Sequence, residues 1–459
     1  MNVTSVSCRL GIVDLAMQLE AAVTKFVEQC LELEAEIMVA LSGGLDSVSL
    51  LNLLVVQARQ SPISLSAVHI HHGLSANADK WQAFCAELCN KHQIEFLTTN
   101  CAVSVNSRES LEDKARQARY RAIEQHAKAR QRRVVLALGQ HQDDQAETVL
   151  LQLARGAGPK GLSAMPAFQQ IDSKLYYARP LLACSQASLR AYAHTHQLTW
   201  VEDESNNDQS FDRNFLRGQV MPVFYQRWPQ FSQSLHRSAR LCAEQESVIA
   251  ELLDDSIKHV INADNCLILS RLQCFSTQVK RQLLRYWIDK HDAQLPSLAQ
   301  LNELLKQLDA PHDSQSRVQL GNMTAARCGD HLHLVANAIL KPYEWKIPEF
   351  EQVMTANSDV VLPINEHCQI SIRLSEAHSD SRLRVSGMAV SLSQPVKFHS
   401  KRPRKAIKVW LQEASVPPWL RDALMLICIE QEAIGLFVIK QKLFLRLSDD
   451  YPSVEIAVE

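Results

Sequence analysis

Short apolar runs alternate with longer amphipathic stretches through the first half of the chain. The runs Ile37 to Leu41, Leu65 to Ile70, Ile94 to Thr98 and Val134 to Leu138 read as buried strands, and the stretches between them repeat apolar residues at helical spacing. The first helix, from about Val13 to Leu33, places Leu15, Leu19, Val23 and Phe26 on one face and leads into the first strand. Strands separated by helices predict a parallel sheet with right-handed crossovers and with ligands at the C-terminal ends of the strands. Beyond about Val220 the pattern turns helical, through Leu252 to Val260 and Val279 to Trp287 and on to Leu308. Val318 to Leu320 and Leu332 to Val335 read as short strands closing that region. Pro348 marks a linker near Pro342 to Asn357, after which strands near Ile370 to Leu374 and Glu432 to Ile439 flank one helix near Arg404 to Ala414. The fold class expected is α/β: an N-terminal Rossmann-like parallel sheet over residues 1–218, a mainly helical middle domain over 219–340, a linker over 341–360 and a small mixed α/β domain over 361–459.

The first strand ends in Ser42-Gly43-Gly44-Leu45-Asp46-Ser47, where the apolar run breaks into a flexible, hydroxyl-flanked loop before helical spacing resumes. Gly43 and Gly44 permit backbone angles closed to other residues and let a phosphate come close. The free N–H groups at the start of the next helix would face that phosphate, with the positive end of the helix dipole behind them. Ser42 and Ser47 add hydroxyl donors, and Asp46 is placed to hold a magnesium ion bridging phosphates. Ser42 through Ser47, Leu45 included, is thus the expected nucleotide cradle. No lysine follows the glycines, so the loop is not the GxxxxGK[ST] phosphate loop. It resembles the SGGxDS pyrophosphatase loop (PP-loop) of enzymes that split ATP into AMP and pyrophosphate. A turn with an Asp or Ser helix cap is the plain structural alternative.

The other strand ends also carry polar residues. The second runs into His69-Ile70-His71-His72, open to three readings: a nucleotide-pocket wall, packing histidines, or zinc. No Cys or carboxylate lies at ligand spacing, which counts against zinc, and His71 is the candidate for the pocket wall. Arg116 and Arg119, three apart, suit a clamp on phosphate or carboxylate, or a solvated helix face. The fourth strand leads into His141-Gln142-Asp143-Asp144-Gln145-Ala146-Glu147. With a helix starting near Asp143, Asp144 and Glu147 sit one turn apart on one side. Two carboxylates facing a phosphate loop repel the nucleotide unless a cation lies between, either magnesium or the ammonium of a substrate. His141 could accept a proton near neutral pH or donate to phosphate.

Composition adds limits. A length of 459 residues suggests roughly three domains. The net charge is −2, so a nucleic-acid surface must come from local clusters. Lys401-Arg402-Pro403-Arg404-Lys405, followed by Lys408 and Trp410, is one. The 12 cysteines are dispersed with no CxxC, which argues against a zinc ribbon, an iron–sulfur cluster or a disulfide framework. No stretch approaches the ~18 uncharged apolar residues of a membrane span, and the N-terminal stretch lacks a basic flank followed by an apolar core. A cytoplasmic protein without membrane contact is expected; a homodimer is left open.

Taken in order, SGGLDS, VHIHHGLS, ARQARY, HQDDQAET, RGAGPKGLSAM, RPLL and DESNNDQSFDRNFLR resemble the tRNA(Ile)-lysidine synthases, in spacing as well as in wording. Gln226-Arg227-Trp228-Pro229 and Cys242 to Ser247 resemble the middle region of the long, three-domain bacterial members. Lys408 to Ala414 and Val416 to Arg421 resemble their C-terminal domain. The resemblance implies a two-step ligase acting on a tRNA(Ile) with a CAU anticodon. The C2 oxygen of the wobble cytidine attacks the α-phosphorus of ATP, pyrophosphate leaves, and the ε-amine of free lysine then displaces AMP at C2. It further implies that Asp144 and Glu147 hold lysine and accept its proton, and that Arg116 and Arg119 steady the nucleotide or the flipped cytidine. Arg213, Asn214 and Arg217 match the family's RNxxR element, with lysine, ATP or RNA as its ligand. The middle and C-terminal domains, with Lys401, Arg402, Arg404 and Lys405, would bind tRNA.

Other readings compete. Thiolation enzymes share the ATP loop but usually want paired cysteines near it. Amide-forming synthetases share it too, but draw ammonia from a glutaminase segment, whereas this chain opens with a helix. A non-catalytic RNA-binding protein would be expected to have lost Asp46, Asp144 or Glu147, and all three are present.

Overall fold

Helix α1 (Thr4–Glu32) leads through β1 (Glu36–Ala40), α2 (Leu45–Ala58), β2 (Leu65–His71), α3 (Ala78–Lys91), β3 (Glu95–Asn100), β4 (Val134–Ala137), α4 (Gln142–Ala154), β5 (Phe168–Gln170) and β6 (Leu175–Ala178) to α5 (Gln186–Thr195). The computed structural model describes residues 4–71, 77–100, 121–204, 208–291, 293–308, 316–342, 350–354, 359–365, 368–374, 383–398, 403–414, 416–422, 424–429, 432–441, 443–447 and 454–458. The sheet order is β3-β2-β1-β4-β6-β5, parallel except for β5, which runs antiparallel to β6. The chain therefore moves outward in one direction from β1 and returns to its other side with β4. In open sheets of this kind a crevice forms beyond the strand ends at that reversal.

The apolar runs are continuous because the sheet is covered on both faces. Ile37, Val39 and Val135 pack with Leu50 and Leu54 of α2 and with Leu19 and Val23 of α1. Met38, Val134 and Leu136 pack on the other face with Ala122, Ile123 and Ala127. Each fully buried Leu, Ile or Val side chain contributes about 1.5–3 kcal/mol, so the register that buries both sets is strongly preferred. The four expected strands are all present, with ends displaced by a residue or two. Strands β5 and β6 were not expected; β5 is a short edge strand with exposed glutamines, and a segment like that carries little periodicity.

The chain divides into two compact units, Met1–Ile249 and Ala250–Glu459. Helix α6 (Met221–Arg227) closes the first unit's sequence of elements before α7 (Phe231–Val260), which crosses the division. The second unit contains helices Thr277–Lys290 and Leu298–Leu308 and an antiparallel sheet in the order Leu267–Ile268, His331–Ala336, Met323–Cys328 and Arg317–Leu320, whose first strand precedes those helices in the chain. It continues into a five-stranded antiparallel sheet that includes Leu424–Ile429 and Glu432–Val438. One core runs through Ala326 and Val335 together with Val396, Phe398, Trp410, Trp419 and Leu436. The last region thus holds more strand than its sequence pattern suggested, and the helix expected from Arg404 is confined to Ile407–Glu413. Among the described residues no helix is long and apolar enough to cross a membrane.

Candidate active site

Beyond β1 the chain turns through Leu41-Ser42-Gly43-Gly44 into α2. Gly43 has a φ of +89°, which side chains disfavour, and a Cβ there would stand 2.9 Å from Val201 Cγ2 and 3.1 Å from Cys85 Sγ. Gly44 is the N-cap of α2 and no side chain caps it, which leaves first-turn N–H groups for an anion. The cradle is held in shape from outside. Val201 N–H donates to Gly43 O at 2.9 Å, and His69 Nδ1–H donates to Leu41 O at 2.8 Å. Inside it, Ser42 Oγ lies 3.1 Å from Ser47 Oγ, and the Ser47 hydroxyl donates to Gly44 O at 3.0 Å. Leu45 is buried beneath it, and His71, at the end of β2, reaches Asp79 Oδ1 on α3 at 3.0 Å.

The β4 exit comes hard against this cradle. A Cβ on Gly139 would stand 3.1 Å from the Asp46 carbonyl carbon and from Ser47 N. The close approach delivers His141, the N-cap of α4, to Asp46. His141 Nδ1 accepts from Asp143 N–H at 3.2 Å, and the His141 N–H donates to Asp144 Oδ2 at 3.0 Å. With Nδ1 used as an acceptor, the ring proton sits on Nε2, 3.4 Å from Asp144 Oδ2 and 3.7 Å from Asp46 Oδ2. The imidazole is buried, clamped between the carboxylates of the two junctions. Asp46 Oδ1 is buried without a hydrogen-bond partner. Burial pushes this carboxyl above its ordinary range, His141 pulls it back, and Asp144 pushes it up again. A buried orphan carboxylate oxygen is costly unless a ligand satisfies it.

Asp144 and Glu147 face the same way, and a cation already bridges them. Arg217 Nε donates to Glu147 Oε1 at 2.7 Å, and Arg217 Nη2 donates to Glu147 Oε2 at 3.0 Å and to Asp144 Oδ1 at 3.1 Å. Burial raises the Glu147 carboxyl, and Arg217 offsets this only in part. Burial by itself would weaken the guanidinium's hold on its proton, but Glu147, Asp144 and Asp46 outweigh that effect. Arg213 Nη2 donates to Thr148 Oγ1 at 3.0 Å, and Asn214 Nδ2 to Asp208 O at 2.8 Å. Of the RNxxR residues, Arg217 hydrogen-bonds both acids, and the charge of Arg213 also helps to hold the Glu147 carboxyl down.

Sequence reasoning missed the support behind this cluster. Asp143 accepts from Tyr225 at 2.8 Å on one oxygen and from Gln186 N–H at 2.9 Å on the other. Burial pushes Asp143 up, but Gln186, Ser232, Tyr225 and His141 together hold it below the ordinary carboxylate range. The Tyr225 hydroxyl, 2.6 Å from Ser232 Oγ, is pushed up to about 12, chiefly by burial. Gly139, standing directly after a strand, was a readable signal of close approach; nothing local marks Tyr225.

Arg116, Arg119, Lys401 and Arg402 lie outside the described residues. Arg404 is exposed, whereas Lys405 Nζ contacts Glu413 Oε1 at 2.5 Å and lies 5.2 Å from the centre of the Trp410 ring. The basic cluster and Trp410 are neighbours as expected, but the ring is not offered at the surface. It is 2 % exposed, its Nε1–H donates to Val396 O at 3.1 Å, and it belongs to the core. Burial pushes the Cys85 thiol beside the cradle up to about 12 and Cys89 to about 11, which leaves neither available as a thiolate for sulfur transfer. Among the described residues no group of three or more His, Cys, Asp and Glu is arranged to hold a metal ion.

Comparison with known proteins agrees with this geometry. Residues 15–224 match the family model of the PP-loop domain, 267–333 that of the TilS substrate binding domain and 390–442 that of the TilS substrate C-terminal domain. The chain is 36% identical over 417 residues to the tRNA(Ile)-lysidine synthase of Haemophilus ducreyi, covering 88% of this chain and 94% of that protein. It is 37% identical over 407 residues to that of Actinobacillus pleuropneumoniae serotype 3 (86% and 94% covered). It is 38% identical over 419 residues to that of Serratia proteamaculans (88% and 91% covered).

Proposed function

The chain belongs to the tRNA(Ile)-lysidine synthase family, and we propose that it ligates L-lysine to C2 of the wobble cytidine of a tRNA(Ile) with a CAU anticodon, through an adenylated cytidine. The observation that carries this reading is the pairing of an uncapped anion cradle with an acid pair, Glu147 buried and Asp144 half-buried, that already grips a cation, at adjoining strand ends. The cradle from Ser42 to Ser47 takes the phosphates of ATP by its N–H groups and hydroxyls. The orphaned Asp46 Oδ1 suits a magnesium ion that shares phosphate oxygens, which is how this ion is commonly bound. When bound, that ion would neutralise charge gathering on pyrophosphate.

In the first step the C2 oxygen of cytidine attacks the α-phosphorus and pyrophosphate leaves. In the second, Asp144 and Glu147 hold the ε-ammonium of lysine, take its proton, and free the amine to displace AMP. Arg217 occupies that seat and holds the Glu147 carboxyl down against burial. His141, its proton on Nε2, serves Asp46 and Asp144 together. Residues 1–218 would carry the chemistry. Residues 219–340 and 361–459 would grip the tRNA with Lys401, Arg402, Arg404 and Lys405 on phosphates, while Phe350–Met354, expected in the linker 341–360, is an edge strand of the five-stranded sheet. Arg116 and Arg119 would steady the nucleotide or the flipped cytidine.

The test is ATP-dependent incorporation of labelled lysine into unmodified tRNA(Ile) with a CAU anticodon, beside labelled cysteine, ammonia and an elongator methionine tRNA. Transfer of lysine to the isoleucine tRNA alone is the expected result. Transfer of sulfur or ammonia in its place would overturn the reading.

A further inference from the structure

From Arg213 through Ala243 the sequence carries five arginines and not one Asp or Glu, in a chain whose net charge is −2; Arg213 and Arg217 turn to Thr148 and the acid pair, Arg240 reaches Glu244 Oε1 at 3.4 Å, and Arg227 and Arg237 stand exposed. In the middle of that stretch α6 turns into α7 at Trp228-Pro229-Gln230. Phe224 and Phe231 stack there with ring centres 4.3 Å apart and planes 13° from parallel. The Trp228 ring stands 6.1 Å from the first and 6.3 Å from the second. The turn is pinned by backbone hydrogen bonds, from Trp228 N–H to Phe224 O at 2.7 Å and from Phe231 N–H to Trp228 O at 3.0 Å. Despite this support the indole is 54% exposed. Residues 226 to 230 are exposed throughout, as are Arg237 and Arg240 on α7. A large aromatic held at the surface by its neighbours, with the exposed Arg227 next to it in the chain, is out of place as core and well suited to a partner.

We propose that Trp228, backed by Phe224 and Phe231, is a stacking platform for an unpaired base next to the reacting cytidine, with the exposed arginines on the flanking phosphates. The proposal rests on the RNA-substrate reading above. Unpaired RNA bases are recognised by stacking on aromatic faces, and a run of arginines without acids attracts a polyanion and repels a basic protein surface. The location fits as well. Tyr225, the neighbour of Phe224 on α6, bonds to Asp143 at the start of the helix that carries Asp144 and Glu147. The platform is therefore tied, through one turn of α6 and Asp143, to the helix that carries the catalytic acids. Chemistry at C2 requires the cytidine to leave the anticodon stack, which strips its neighbour of a stacking partner. The indole face replaces that partner.

The test compares the wild-type chain with Trp228→Ala, Trp228→Leu and Trp228→Phe. Binding of a fluorescein-labelled anticodon stem-loop with a CAU loop is followed by anisotropy, beside KM values for tRNA, ATP and lysine. Loss of one base stack weakens binding by about tenfold or more. Trp228→Ala and Trp228→Leu should therefore raise the stem-loop Kd and the tRNA KM by about tenfold, with the KM values for ATP and lysine unchanged. Trp228→Phe, which keeps a π-face, should remain near wild type. Equal affinity of all four proteins, or a Trp228→Phe defect as large as that of Trp228→Leu, would overturn the platform, as would a wild-type chain that binds no stem-loop. A wild-type chain that binds the stem-loop in a Trp228-dependent way but transfers no lysine would sink the proposed reaction and leave the platform standing.

Discussion

Two strand–helix junctions lie side by side at the centre of the sheet, and they solve opposite problems. The β1–α2 junction would meet an anion with backbone: an uncapped helix start, a left-handed glycine and two serine hydroxyls. The β4–α4 junction meets a cation with side chains: Asp144 and Glu147, presented one turn apart and gripping Arg217. Backbone suits the first task because a row of N–H groups needs no counter-charge and costs no ionisation. Carboxylates suit the second because they can also take up a proton. The two meet where Gly139 lets β4 press on the first turn of α2 and where His141 stands between Asp46 and Asp144. Burial raises both Asp46 and Glu147, and charge strained in this way is common where chemistry is done.

If the two junctions have separate duties, single substitutions should separate the two steps. Asp46→Asn should cut pyrophosphate release about a thousandfold, the size of a lost charge-stabilising contact at a reacting centre, as read by release on adding tRNA. Glu147→Gln should slow lysine transfer about a hundredfold while pyrophosphate release stays near wild type, since a general base contributes about that much. Equal losses in both steps for both variants would erase the distinction. Gly43→Ala forces a side chain into left-handed backbone against Val201, with a cost of about 1–3 kcal/mol. It should lower the melting temperature and raise the KM for ATP. Gly158→Ala, where a Cβ meets nothing within 4 Å, is the matched control.

The smallest effect expected concerns pH. Arg217 holds the Glu147 carboxyl down against burial, so without the guanidinium that carboxyl rises further above its ordinary value. Protonation removes the charge that holds ammonium, and a higher carboxyl pKa means that this loss starts at higher pH on acidification. Arg217→Gln should therefore move the acid limb of the lysine-transfer rate to higher pH, with a loss below about tenfold at neutral pH. An unmoved limb would separate Arg217 from the titration of Glu147.

How far the site was legible depended on where its energy lies. The glycine loop could be read because its demands are confined to a few consecutive residues: a strand end, a left-handed turn and a helix start. Asp144 and Glu147 could be placed on one face because helical periodicity alone puts them there. The partnership of Arg217 with Glu147 spans 70 residues of sequence, and that of Tyr225 with Asp143 spans 82. No local pattern encodes either. The two tryptophans make the same point. Trp410 lies beside Lys405 as expected yet is buried in a core, while Trp228, part of a motif without an assigned role, stands at the surface.

The sequence by itself determined the parallel sheet, the phosphate loop and the identity of the charged groups, because each follows from side-chain period or backbone freedom within a single element. Only the tertiary structure decided which charges meet, which carboxylate oxygen is left without a partner, and which aromatic is buried or displayed. Those outcomes depend on desolvation and contact between segments far apart in the chain, and the folded packing alone supplies them.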